Sequence, residues 1–166
     1  MMKDKSFYIL VTAILLLSSM ALMLIVFLHQ ADEEFEGSIT VEENGITETT
    51  IPVRDLILTP GVQKDYHVNL ICQASGHYFI HLDYQENHDG GMKEFVDVII
   101  ELDGAVVFDG PLTDLLDGGK VIETDGELHA DEPLVVSFKY KMPIDTGNEA
   151  QGTSSDFDIH VIIEKK

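Results

Sequence analysis

From Ser38 onward, apolar and polar side chains alternate with a period of two, and short turn dipeptides cut the alternation into pieces. In HYFIHLDY, Tyr78, Ile80, Leu82 and Tyr84 fall on one side, and His77, Phe79, His81 and Asp83 on the other. Successive side chains of a strand point to opposite faces of a sheet, so each piece predicts a strand with one buried face. Asp-Gly recurs at 89–90, 103–104, 109–110, 117–118 and 125–126. Asn44-Gly45 predicts a two-residue hairpin joining SITVEE to ITETT, and Asp103-Gly104 another joining FVDVIIEL to AVVF. Val96, Val98, Ile100 and Leu102 form the apolar side of the second. Pro60-Gly61 turns the chain into QKDYHVNLIC, and ENHDGG (86–91) reads as a break after HYFIHLDY. KVIETD, LVVSFKYKM and DFDIHVIIE supply three more strands. A short helix is predicted only over Leu112–Leu116, closed by Gly118-Gly119. This pattern predicts an all-β sandwich of about seven to nine strands.

The first thirty residues differ. The 22 residues from Phe7 to Leu28 carry no charge. As a helix they would span roughly 33 Å, against a hydrocarbon core of about 30 Å. Lys3 and Lys5 precede the run, and Asp32, Glu33, Glu34 and Glu36 follow it. The lysines place the N-terminus in the cytoplasm and the remainder outside. The expectation is therefore a single uncleaved transmembrane helix within residues 1–31, an acidic stem at 32–37, and an extracytoplasmic domain at 38–166. The rival is a secreted protein after signal-peptide cleavage; Ser19-Met20-Ala21 resembles a cleavage site, but cutting there leaves Leu22–Leu28 as an apolar terminus.

Of 166 residues, 30 are Asp or Glu and 10 are Lys or Arg, a net charge of −20. Such a surface repels nucleic acid and anionic headgroups. The single cysteine, Cys72, allows no intrachain disulfide; it alternates with Tyr66, Val68 and Leu70 and reads as a buried thiol. His77 and His81 share a strand face but lie roughly 13 Å apart, too far for one zinc. His81 with Asp83, and His88 and Asp89 in the following loop, form a zinc candidate set, while the acidic turns offer oxygen ligands to calcium without the spacing of a calcium loop. There is no His-Glu-x-x-His and no nucleophile elbow. No catalytic, cofactor or metal residue is therefore assigned.

One stretch asks for more than turn chemistry. In YKMPIDTGNEAQGTSSDFDIHVII (140–163), a loop rich in Gly and amides precedes the alternating Phe157, Ile159, Val161 and Ile163. Gly147, Asn148, Glu149, Gln151 and Gly152 resemble, position by position, the Gly-Asn-Glu-x-Gln-Gly loop of the camelysin/TasA family of exported bacterial biofilm-matrix proteins. FEGSITV (35–41), LILTPGVQKDYHVNL (56–70) and VVFDGPLTDLL (106–116) resemble further family segments in the same order. The resemblance implies a jelly-roll-like antiparallel sandwich and a role as subunit or accessory of extracellular protein fibres, some of which grow by donating an N-terminal strand to the next subunit. With the apolar run read as an anchor, the expectation is a membrane-tethered structural protein that anchors or nucleates fibres, binding a protein partner or itself by strand addition. A cell-surface metallopeptidase and a cation- or ligand-binding surface module stay open as alternatives. The five loop residues are expected to brace the final strand, Asn148 and Gln151 bonding backbone groups and each contributing about 1–3 kcal/mol if buried.

Overall fold

A computed structural model describes residues 35–42, 45–130 and 132–166. Among the described residues nine strands form two sheets: β1 (Phe35–Val41), β2 (Ile46–Leu56), β3 (Gln63–Cys72), β4 (Gly76–Gly90), β5 (Asp97–Leu102), β6 (Ala105–Pro111), β7 (Ile122–Leu128), β8 (Leu134–Lys141) and β9 (Ser154–Lys165). A helix, α1 (Leu112–Leu116), follows β6, and 3₁₀ turns occupy Met92–Phe95 and Asn148–Ala150. The sheets run β1-β3-β8-β5-β6 and β2-β9-β4-β7. Apart from the β5–β6 hairpin, consecutive strands from β2 to β9 pass from one layer to the other, with β3-β8-β5-β6 facing β2-β9-β4-β7, the strand order of a jelly roll. All their pairings are antiparallel.

Strand β1 departs from the expected antiparallel sandwich. It lies parallel to β3, with Ser38 opposite Asn69 and Val41 opposite Cys72. The hairpin expected around Asn44-Gly45 is therefore not formed: β1 ends one sheet and β2 the other, and β2 pairs with β9. ENHDGG does not break the chain either. Strand β4 continues to Gly90 because β9 pairs with it as far as Gly90 opposite Ser154, across a register shift between Glu86 and His88. A Cβ on Gly90 would lie 2.4 Å from the Ser154 carbonyl oxygen, so only glycine fits this approach. At the β5–β6 tip, Asp103 and Gly104 both take positive φ (50° and 80°), the geometry the two-residue turn requires.

The core is the set of inward side chains read from the alternation. Val68, Leu70 and Cys72 of β3, Tyr78, Ile80, Leu82 and Tyr84 of β4, Val98 and Ile100 of β5, and Phe157, Ile159, Val161 and Ile163 of β9 are all buried. Four aromatic rings join the layers at its centre. Phe157 stacks on Tyr84 (centroids 5.6 Å, 30° between planes), Tyr140 tilts against Phe157, and Tyr66 meets Tyr140 edge-on at 5.5 Å. The Tyr84 and Tyr140 hydroxyls pair at 3.2 Å. Burial pushes both phenols above their ordinary pKa, so neither ionises near neutrality.

The transmembrane expectation, with the single-pass placement built on it, is corrected. Among the described residues no helix is long and apolar enough to cross a membrane. The one α-helix there has five residues, about a turn and a half, and buries Leu112 and Leu115 against the sandwich. The apolar run at 7–28 lies outside the described residues.

Candidate functional site

The loop singled out in the sequence carries the chain from β8 in one sheet to β9 in the other. It starts on buried Met142, which continues the inward stripe of Phe138 and Tyr140. Met142 exchanges backbone hydrogen bonds with the turn before β3: Gly61 N donates to its carbonyl (2.9 Å), and its own N donates to the Val62 carbonyl (3.1 Å). The chain then forms the 3₁₀ turn at Asn148–Ala150, whose Ala150 is buried. Thr153 closes it, its Oγ1 and N both donating to the Ala150 carbonyl at 2.7 and 3.3 Å. Gly152 has φ 76°, a left-handed conformation that favours glycine.

The five motif residues share this loop, but their roles divide differently from the expectation. Asn148, Glu149, Gln151 and Gly152 are exposed, and Gly147 is half-buried at an ordinary φ of −75°. The amides bond each other, Gln151 Nε2 donating to Asn148 Oδ1 at 3.1 Å, rather than reaching into the fold. The brace consists of Met142, Ala150 and Thr153. Met142 was legible as the next inward position after Tyr140; nothing in the local pattern marked Ala150. Beside the loop, Glu149 and Asp145 join Glu94, Phe95, Asp97 and Pro111 around a cavity of about 280 Å³. With four carboxylates and no cation among these residues, it repels anions.

The strongest ionic cluster lies behind that end of the sandwich. Lys93, on the 3₁₀ turn after β4, has a side chain only 7 % exposed. Its Nζ is 2.7 Å from Asp117 Oδ1, 3.0 and 3.1 Å from the two Glu86 oxygens, and 3.2 Å from Asp89 Oδ2. Its backbone N donates to the Oγ of buried Ser155 (3.2 Å). The hydrogen bond to Asp117 is the largest influence holding the ammonium charged above its ordinary pKa; burial opposes it, and Glu86 and Asp89 add to it. Asp89 is held below the usual carboxylate range, first by the Gly91 N–H and then by Lys93. An ammonium fixed among three carboxylates ties β4, the 3₁₀ turn and the end of α1 together. It is not poised to act as a base.

The zinc candidates do not assemble. His81 and Asp83 face out from β4, His81 Nδ1 approaching Glu123 Oε1 at 3.5 Å and Asp83 lying opposite His160 of β9, while His88 sits at the register shift. Among the described residues no three His, Cys, Asp or Glu side chains gather in a group that could hold a metal ion, calcium included. Cys72 is buried, with its Sγ donating to the His129 carbonyl at 3.2 Å.

The remaining feature is the edge formed by β1. Among the described residues, β3 is its one strand partner. Glu36, Ser38 and Thr40 point to solvent, Val41 is buried, and Ile39 is half-buried against the core.

No family model matches the chain, and no curated protein matches it. Among solved structures, it is similar to a family 35 carbohydrate-binding module from Clostridium thermocellum, at 11 % identity and a TM-score of 0.42, covering 74 % of this chain and all of that one. The pre-peptidase C-terminal domain of a collagenase from Bacillus anthracis gives 14 % identity and 0.38, over 78 % and 97 % of the two chains. The C-terminal carbohydrate-binding module of a marine laminarinase from Zobellia galactanivorans gives 12 % and 0.34, over 74 % and 100 %. Likenesses this distant carry no argument about function.

Proposed function

We propose that this protein is a structural subunit or accessory of a protein fibre, associating with copies of itself or a related chain by exchange of β1. The observation that carries the reading is the attachment of β1 at the N-terminal end of the folded unit: a parallel edge strand with one strand partner among the described residues, joined to β2 by the short segment 42–45. Detaching β1 exposes Val41 and part of Ile39, at a cost of about 1.5–3 kcal/mol for a fully buried side chain of this size, plus the ladder hydrogen bonds to β3. A β1 from another copy restores the same contacts on the same β3. The exchange therefore costs little at equilibrium and is driven by concentration. The camelysin/TasA resemblance of residues 35–41 and 147–152 supports the same reading, since it implies fibre subunits that donate an N-terminal strand.

The test is assembly of the full chain followed by light scattering and electron microscopy, beside the double variant Ile39→Asp, Val41→Asp. The variant should keep the β-sandwich circular dichroism while losing concentration-dependent assembly. Fibres formed equally well by the variant would overturn the proposal.

A further inference from the structure

The sheet β2-β9-β4-β7 turns its outer face to solvent, and at its β7 edge the charges follow a regular pattern. Glu123, Asp125 and Glu127 are the outward side chains of β7 and alternate with the inward Ile122, Thr124, Gly126 and Leu128. Across the ladder, His81 lies opposite Glu123, Phe79 opposite Asp125 and His77 opposite Glu127; on the other side of β4, Phe79 lies opposite Glu164 of β9. Phe79 is 38 % exposed, although its neighbours on that face are polar. It lies with His81, Glu123, Asp125 and Glu164 along an open groove of about 630 Å³.

The groove already holds a cation. Lys166 Nζ sits 4.0 Å from the centroid of the Phe79 ring and 2.5 Å from Asp125 Oδ2, so aromatic face and carboxylate together receive one ammonium. Among the described residues β7 pairs with β4 alone, leaving one side of its backbone without a strand partner. Carboxylates two residues apart on a strand are spaced by about 6.8 Å, which is also the spacing of alternate side chains on an added strand.

We propose that the β7 edge and its groove bind an extended basic peptide with Lys or Arg at alternate positions, added as a strand beside β7. Its cationic side chains pair with Glu123, Asp125 and Glu127, and one of them takes the place of Lys166 on Phe79. Cross-strand pairs of opposite charge stabilise such an addition, and like charges oppose it. The three carboxylates accordingly repel a second β7 while attracting a basic strand, so this edge selects a partner different in kind from β1. The inference stands on different residues from the exchange of β1 and does not depend on it.

The experiment titrates the full chain with two synthetic heptapeptides of equal composition, Lys-Thr-Lys-Val-Lys-Thr-Lys and its block isomer Lys-Lys-Lys-Lys-Thr-Thr-Val, by calorimetry at fixed salt. The alternating peptide should bind more tightly than the block isomer. The triple variant Glu123→Gln, Asp125→Ser, Glu127→Gln should weaken the alternating peptide about tenfold or more, exposed charge pairs being individually modest. Asp125→Ser avoids creating an Asn-Gly sequence before Gly126. Lys166→Ala should tighten binding by about two- to fivefold, because it removes the internal competitor. Asp145→Asn with Glu149→Gln, at the acidic cavity by the β8–β9 loop, should leave binding unchanged. Equal affinity for the two peptides, or unaltered binding by the triple variant with its circular dichroism intact, would overturn the proposal.

Discussion

Replacing Lys93 by Met isolates the contribution of one buried ammonium. Methionine keeps most of the apolar stem, so little cavity is left, while three carboxylates lose their shared cation. Removing one partner of a buried ion pair costs about 3–5 kcal/mol. Here the partners differ in exposure: Glu86 is 26 % exposed, but Asp89 and Asp117 are about half-exposed and screened by water. Glu86 therefore carries most of the effect, and the expected loss is about 2–4 kcal/mol. Urea unfolding followed by far-ultraviolet circular dichroism measures it; the chain has no Trp, and the midpoint should fall at unchanged slope. The double variant Lys93→Met, Glu86→Leu should recover much of the loss, because the stranded carboxylate is then gone. The pH dependence has a defined sign. The Lys93 pKa is raised in the fold, so its contribution is complete below the ordinary lysine value of 10.5 and is lost as pH climbs beyond it. Asp89 is depressed, so its contribution is present above 3.8 and is lost as pH falls below that value. The gap between wild type and Lys93→Met should thus be flat through neutrality, close as pH climbs beyond 10.5, and narrow below 3.8 only by the share of the Asp89 contribution that Lys93 supplies, since the Gly91 N–H bond persists in the variant. A loss below about 0.5 kcal/mol at pH 7, within the ordinary scatter of surface substitutions, would refute the reasoning.

The other predictions concern the loop and the core. Asn148→Ala and Gln151→Ala should each change stability by no more than about 0.5 kcal/mol, because the two amides are exposed and bond each other; Gly152→Ala should cost about 1–2 kcal/mol through its left-handed backbone. Urea midpoints of the three variants should show that ordering. Tyr140→Phe should cost about 1–3 kcal/mol by leaving the Tyr84 hydroxyl without its partner in the core, which thermal unfolding monitored by circular dichroism will register.

The parts of the fold that the sequence made legible are those in which local pattern and burial coincide. The inward stripes of β4, β5 and β9 follow from alternation alone, the β5–β6 turn from Asp103-Gly104, and α1 from Leu112–Leu116 with Gly118-Gly119 behind it. Where sheet pairing is decided by distant partners, local signals misled. Asn44-Gly45 is a sound hairpin signal, yet Val41 finds its burial beside Cys72 of β3 while Ile51 and Val53 find theirs beside β9. ENHDGG carries turn residues throughout, but the ladder to β9 holds it extended as far as Gly90. The Lys93 cluster was invisible for the same reason: Glu86, Lys93 and Asp117 span β4 to the end of α1, and no spacing in the chain announces that they meet. In the loop at 147–152, residue types do not say which members are buried, since exposed amides and bracing amides have the same composition.

Strand exchange requires that β1 leave its own β3 and join that of another chain. Ser38 and Asn69 lie opposite each other on the outer face of the parallel β1–β3 pair, so Ser38→Cys with Asn69→Cys places two thiols across that ladder. Assembly of this variant should be measured by light scattering in the oxidised and reduced forms, with the monomeric disulfide verified by mass spectrometry and buried Cys72 left in place. Strand exchange predicts no assembly while the disulfide holds β1 at home, and recovery of assembly on reduction. Equal assembly in both forms would contradict it.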